Sequence, residues 1–219
     1  RPTAGGLSDE NDEKGQGMRV ITLSDGAVEW QGRELAKKIT DACPEGFDLM
    51  VGVRRGGVFV ADAVWRSLPD GFCGNIVNVT MQRPGTRGKG AKLAAVLGNV
   101  PLWMLNGARI VESHWLKLRD RMKRDKERHS RRQMTISTGT LPPLKAYPRL
   151  LLIDDAIDSG ATLAAVIKGL RENYGPIEVK VAVITVTTDA PKVEADFCMY
   201  HDHTLIRFPW SIDYKKMKP

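Results

Sequence analysis

Apolar residues along this chain follow two spacings in turn, and the alternation predicts strands separated by helices. Residues 49–53, 150–153 and 179–186 are short apolar runs of the kind found in strands buried on both faces, and residues 76–79 suggest one further strand. Three stripes at helical spacing lie between or beside these runs: Leu35, Ala36, Ile39 and Ala42; Val58, Ala61, Trp65 and Leu68; Leu163, Val166, Ile167 and Leu170. The order predicts an α/β fold with a doubly wound, mainly parallel sheet.

Length and composition indicate one globular domain. The chain has 219 residues, 42% of them hydrophobic, which suits a single core over residues 18–219. Residues 1–17 are rich in glycine and acidic side chains and are expected to be a disordered tail. No apolar stretch reaches the roughly 18 to 20 residues of a membrane span, and the three cysteines show no Cys-x-x-Cys spacing. We therefore expect a cytoplasmic protein that has no membrane partner.

The net charge of +7 is concentrated in one segment. Residues 83–149 hold sixteen Lys or Arg and four Asp or Glu, and helical spacing predicts a basic helix over about 111–133. We interpret residues 83–147 as a long basic helical insertion. It is expected either to close over a site as a lid or to bind nucleic acid through residues 109–133. The alternative to both is that its charges only form a solvated helix face.

The most specific segment for chemistry is residues 151–163. An apolar run leads into Asp154 and Asp155, and a turn then passes through Asp158 into a helix. Ser159, Gly160, Ala161 and Thr162 occupy the end of this turn and the helix start. Amides at a helix start bind phosphate, and paired carboxylates suit sugar hydroxyls or Mg²⁺. An alternative is that Ser159 or Thr162 only caps the helix.

A second segment places arginines and glycines after the strand at 49–53. Arg54 and Arg55 precede Gly56, and guanidinium groups bind phosphate oxygens in pairs. Both segments are expected at the carboxyl edge of the sheet, where open parallel sheets bind their ligands. Phosphoribosyl pyrophosphate carries the phosphate, diol and pyrophosphate that such a site would bind.

Residues 151–163 resemble the signature of the type I phosphoribosyltransferases, and the loop at 54–57 is similar to the pyrophosphate loop of their xanthine-guanine (purine) branch. The resemblance implies that Asp154 and Asp155 hold the ribose hydroxyls and Mg²⁺, and that Asp158 acts at the base nitrogen. It also implies that residues 159–162 hold the 5-phosphate, that Arg54, Arg55 and Gly56 hold pyrophosphate, and that residues 191–219 form a small base-binding hood. Phe208-Pro209-Trp210 resembles a motif near the C-terminus of that branch. The aromatic residue that stacks on the base there would fall near Leu205, so stacking here would need His203, Phe208 or Trp210.

One departure concerns the base. In 6-oxopurine enzymes a lysine that reads the carbonyl oxygen stands just past the strand that ends here at Val186, and this chain has Thr187. The resemblance implies a magnesium-dependent enzyme of nucleotide metabolism, expected to be a homo-oligomer, that transfers the phosphoribosyl group to a purine-like base with release of pyrophosphate. The alternative is a regulator that senses phosphoribosyl pyrophosphate and binds RNA or DNA through its insertion.

Overall fold

The structure is a computed structural model that describes residues 19–53, 55–82, 133–136, 140–201, 204–211 and 214. The predicted tail, most of the basic insertion with its predicted helix, Arg54 and His203 lie outside these residues. The described residues form eight strands and three helices. In chain order they are β1 (Arg19–Thr22), α1 (Asp25–Ala42), β2 (Leu49–Val53), α2 (Gly56–Trp65), β3 (Ile76–Gln82), β4 (Gln133–Ile136), β5 (Arg149–Ile157), α3 (Ala161–Tyr174), β6 (Glu178–Val186), β7 (Phe197–Tyr200) and β8 (Thr204–Arg207).

The central sheet confirms the predicted fold class. Its six strands lie in the order β4-β3-β2-β5-β6-β7, and every neighbouring pair is parallel except β3 with β4. Strand β4 comes from the end of the predicted insertion and adds an antiparallel edge to the five parallel strands. The strands predicted from the apolar runs at 49–53 and 150–153, β2 and β5, are neighbours in the middle of the sheet.

Hydrophobic packing covers both faces of this sheet. Leu151 and Ile153 of β5 face α1 and α2, whereas Leu150 and Leu152 face α3. The alternation follows from the two-residue period of a strand, and every one of these side chains is fully buried. Leu35 of α1 belongs to the first layer of the core, so the helices predicted from apolar stripes are the ones that wind around the sheet.

A separate two-stranded sheet joins the two ends of the domain. Strand β8, inside the predicted hood of residues 191–219, pairs in parallel with β1 near the start of the described chain. The guanidinium of Arg207 is buried there and donates a hydrogen bond to Thr22 Oγ1 at 3.2 Å. Strand β7, from the same C-terminal region, instead belongs to the central sheet. None of the helices in the described part of the chain could cross a bilayer.

Candidate active site

Strand β5 carries the acidic pair to the carboxyl edge of the sheet. It pairs with β2 only as far as Ile153, but it continues along β6 to Ile157. Asp154 and Asp155 therefore lie in the strand, beyond its last pairing with β2. The space beside them is filled by the loop and helix that follow β2, which places the two segments singled out in the sequence against each other.

The first turn of α2 packs directly on this pair because two glycines begin it. A Cβ added at Gly57 would lie 2.7 Å from Asp154 Cα and 2.7 Å from Ile153 O. One added at Gly56 would overlap Asp155 Oδ2 and Trp210 Nε1. Only glycine allows this approach, since a side chain would need the space that the carboxylates and their strand occupy.

Trp210 holds one carboxylate of the pair. Its indole Nε1 donates a hydrogen bond to Asp155 Oδ2 at 2.8 Å. The indole is itself stacked on Phe59 at 4.7 Å and on Phe208 at 4.9 Å between ring centroids. The C-terminal segment, helix α2 and strand β5 are thereby joined at one point. Sequence reasoning gave no role to Phe59 and did not find the bond to Asp155, because those partners are far apart in the chain.

The two carboxylates have different environments. Asp154 is buried, and its Oδ1 accepts the backbone N–H of Asp155 at 2.9 Å. Desolvation raises the pKa of Asp154 well above its ordinary value, and the negative charges of Asp155 and Asp158 raise it further. A cation at this edge would relieve both effects, so the donor set suits Mg²⁺, which one or two carboxylates and substrate phosphates commonly hold.

Asp158 stands in the turn after β5, with its side chain exposed. Its Oδ1 accepts a hydrogen bond from Thr187 Oγ1 at 2.7 Å. Thr187, which follows β6, also donates its backbone N–H to Ile157 O at 2.9 Å. Thr187, which stands where the expected lysine is missing, is thus hydrogen-bonded to Asp158, the predicted catalytic residue.

The predicted phosphate loop adopts the backbone that a helix-start anion site needs. Gly160 has φ +69° and precedes the first turn of α3, with no side-chain cap. Gly160, and neither Ser159 nor Thr162, is the residue that precedes the helix, while Ser159 Oγ accepts the Ala161 N–H at 3.4 Å. Lys192 donates its backbone N–H to Ser159 O at 3.0 Å, so the segment after β6 braces this loop.

The remaining predicted site residues differ in their exposure to solvent. Arg55 is exposed immediately before α2, and no hydrogen bond or ion pair holds it among the described residues. Leu205 is half-buried on β8, beside Val20 of β1. Phe208 is only 4% exposed and belongs to the hydrophobic core, so it cannot offer a ring face to a base without leaving that core.

A cavity among the described residues lies at the opposite edge of the sheet. It measures about 530 Å³ and includes Asp48, Lys145 and Arg149. Each of these charges already has a protein partner: Lys145 pairs with Asp48 at 2.9 Å, and Arg149 pairs with Glu178 at 3.2 Å. The candidate chemistry is therefore at the carboxyl edge, on an open surface rather than in this cavity.

Comparison with known proteins agrees with the geometry. Residues 111–216, just under half of the chain, match the family model of the phosphoribosyl transferase domain. No curated protein matches the chain. Among solved structures, it is similar to a purine phosphoribosyltransferase from Pyrococcus horikoshii Ot3, with 18% identity, a TM-score of 0.56 and coverage of 91% of this chain and 99% of that one.

Two further structures share the fold. The Helicobacter pylori xanthine-guanine-hypoxanthine phosphoribosyltransferase has 18% identity and a TM-score of 0.52, with 89% of this chain and 96% of that one covered. A hypothetical protein from Neisseria gonorrhoeae with bound ppGpp has 16% identity and a TM-score of 0.50, with 88% and 89% covered. At these identities the likeness concerns the fold alone.

Residues 111–216, which include the segment 151–163, are therefore similar to the phosphoribosyl transferase domain, and the solved structures share the fold. The family match covers residues 151–163, so the resemblance of that segment to the phosphoribosyltransferases is confirmed.

Proposed function

We propose that this protein transfers the 5-phosphoribosyl group from phosphoribosyl pyrophosphate to a purine-like nitrogenous base and releases pyrophosphate. The observation that carries the proposal is the contact between the acidic pair of β5 and the first turn of α2. It puts carboxylates suited to a ribose diol beside a glycine loop suited to pyrophosphate, at the edge of the sheet where parallel α/β folds bind ligands.

In this proposal Asp154 and Asp155 hold the ribose hydroxyls and the magnesium ion. Trp210 holds Asp155 through Oδ2, and Asp154 lies deeper, against the helix start. Bound magnesium would supply positive charge to the leaving pyrophosphate. Arg54, Arg55 and Gly56 would bind the pyrophosphate oxygens, and the exposure of Arg55 immediately before α2 supports that role.

The other end of the substrate would lie on the turn after β5. The left-handed Gly160 and the first turn of α3 suit the 5-phosphate, which residues 159–162 would hold through backbone amides and the hydroxyls of Ser159 and Thr162. Asp158, exposed beside this loop, would accept the proton of the attacking base nitrogen. Phosphate, sugar and base would then occupy successive positions along one edge.

For the base, the purine-like preference rests on the resemblance and on the names of the two similar phosphoribosyltransferases. Leu205 and Trp210 remain the candidates for base contact. Phe59 and Phe208 already stack on Trp210, so only the part of its ring that they leave uncovered would contact the base. Phe208 would act from behind, by supporting that ring. The Asp158 carboxylate fits a base that carries a protonated ring nitrogen.

The proposal also includes a role for the basic insertion. Residues 83–147 would serve as a lid that excludes water from a cation-like sugar. Nucleic-acid binding through residues 109–133, the homo-oligomer and the cytoplasmic location are untested predictions, and most of the insertion lies outside the described residues.

Pyrophosphate release with phosphoribosyl pyrophosphate, Mg²⁺ and a panel of purine, pyrimidine and pyridine bases tests the proposal. We expect turnover on at least one purine. Asp158→Asn should lower kcat by about 10² to 10⁴, the usual contribution of a positioned proton acceptor. Asp70→Asn, the same change at the opposite edge of the sheet, should leave it unchanged. Binding of phosphoribosyl pyrophosphate without turnover on any base would contradict the proposal and favour the regulator.

A further inference from the structure

The end of β6 is tied to the turn after β5 by two hydrogen bonds from one residue. Thr187 donates its backbone N–H to Ile157 O at 2.9 Å, which continues the sheet by one residue. Its hydroxyl lies 2.7 Å from Asp158 Oδ1 and 3.3 Å from Ile157 O. A hydroxyl has a single proton, and the carboxylate is both the closer and the stronger acceptor, so the proton points to Asp158.

We propose that Thr187 is a positioning residue, which holds the Asp158 carboxylate in the orientation needed to accept a proton from the base. The inference rests on the proposed function, because it assigns Thr187 a part in the same reaction. The Asp158 side chain is exposed, and Thr187 is the side-chain donor that it has within the described part of the chain. Without this bond the carboxylate would be free to rotate into water.

The geometry also divides the two carboxylate oxygens of Asp158 between two tasks. Oδ1 accepts the Thr187 hydroxyl, and Oδ2, which has no hydrogen bond from the described residues, would accept the proton of the base nitrogen. A misplacement of about 1 Å at a reacting group can cost around a hundredfold in rate. A single hydroxyl outside the reacting atoms can therefore have a measurable effect on kcat.

The same bond explains what stands in place of the missing lysine. The proton of the Thr187 hydroxyl is committed to Asp158, so this position orients the proton acceptor and supplies no donor to a carbonyl group of the base. Recognition of the base would then depend on other groups of the site. Thr187 accordingly acts through Asp158 and is not itself a catalytic residue.

The test compares Thr187→Val, which removes the hydroxyl at constant volume, with Thr187→Ser, which keeps it. Thr187→Val should lower kcat by about 10- to 100-fold and leave the KM for phosphoribosyl pyrophosphate within about twofold. Thr187→Ser should recover kcat to within about threefold of the wild type. Thr188→Val, the same change at the next residue, whose hydroxyl has no bond in the described residues, should behave as the wild type.

A double variant separates positioning from a general structural effect. If Thr187 acts only through Asp158, adding Thr187→Val to Asp158→Asn should cost less than threefold beyond Asp158→Asn alone. A full additional loss would overturn the proposal, and so would wild-type kcat in Thr187→Val or a failure of Thr187→Ser to recover it.

Crystal structures of the variants decide the positioning role independently of activity. The Asp158 carboxylate should turn away from its wild-type orientation in Thr187→Val and keep it in Thr187→Ser. If the wild-type protein transfers the phosphoribosyl group to no base, the proposed function fails. These structures would still show whether the Thr187 hydroxyl orients the Asp158 carboxylate. An unchanged carboxylate in Thr187→Val would overturn the positioning role even in an active enzyme.

Discussion

Replacement of Gly57 by alanine tests the contact that assembles the site. The new Cβ would lie 2.7 Å from Asp154 Cα and 2.7 Å from Ile153 O, whereas Cβ atoms in proteins essentially never approach within 3.0 Å of other atoms. Both neighbours are backbone atoms of a central strand, so neither can rotate away. Either α2 or β5 would have to shift by several tenths of an ångström, and overpacking of this kind costs about 1 to 3 kcal/mol.

A matched control removes the helix-propensity effect. Gly26 is the second residue of α1, as Gly57 is of α2, and a Cβ at Gly26 meets nothing within 4 Å. Gly26→Ala should stabilise the protein by about 0.4 to 1 kcal/mol, because alanine restricts the unfolded chain more than glycine. Since both variants gain this amount, the difference between their free energies of unfolding, about 1 to 3 kcal/mol, measures the clash at Gly57 alone.

Urea unfolding followed by circular dichroism, with linear extrapolation to water, gives both free energies. Titration of each folded variant with phosphoribosyl pyrophosphate and Mg²⁺ adds a functional reading, and Gly57→Ala should bind more weakly than Gly26→Ala because its shift displaces Asp154. Equal unfolding free energies for the two alanine variants would refute the close packing of α2 on β5.

Two more predictions concern the acidic pair. Trp210→Phe keeps the aromatic stack but loses the N–H that is donated to Asp155. Because a hydrogen bond to a charged group contributes about 1.5 to 3 kcal/mol, calorimetry should find the affinity for magnesium and phosphoribosyl pyrophosphate reduced at least tenfold. Trp30→Phe, at an exposed site on α1, is its control, and equal affinities would contradict the role of Trp210. Because the pKa of Asp154 is raised, the folded state keeps the proton of this carboxyl to higher pH than the unfolded state does. Without magnesium, the free energy of unfolding of the wild type should therefore fall as the pH rises above about 3.8 towards the raised pKa. Asp154→Asn should lack that part of the decline and be the more stable protein at pH 7, and parallel stability curves from urea unfolding across this range would refute the assignment.

Local patterns in the sequence were sufficient for strands β2, β3, β5 and β6 and for the three helices, but not for β1, β4, β7 and β8. The apolar runs at 49–53 and 150–153 predicted β2 and β5, and the helical stripes predicted α1, α2 and α3, because burial on one or both faces leaves a period that can be read directly. The acidic pair and the glycine loop were also visible, since each is a short segment with its own chemistry. Their meeting at one edge followed from the rule that parallel strands end on the same side.

Tertiary structure alone decided how the side chains of the site are held. Trp210 and Asp155 are 55 residues apart, and Thr187 and Asp158 are 29 apart. No local pattern records such bonds, because they depend on strand order and on where each strand stops pairing. Strand β5 continues past its polar residues to Ile157 because β6 still pairs with it there, after β2 has ended. The sequence alone determined which carboxylates are present at the carboxyl edge, and packing determined which oxygen of Asp155 and of Asp158 accepts a hydrogen bond from the protein.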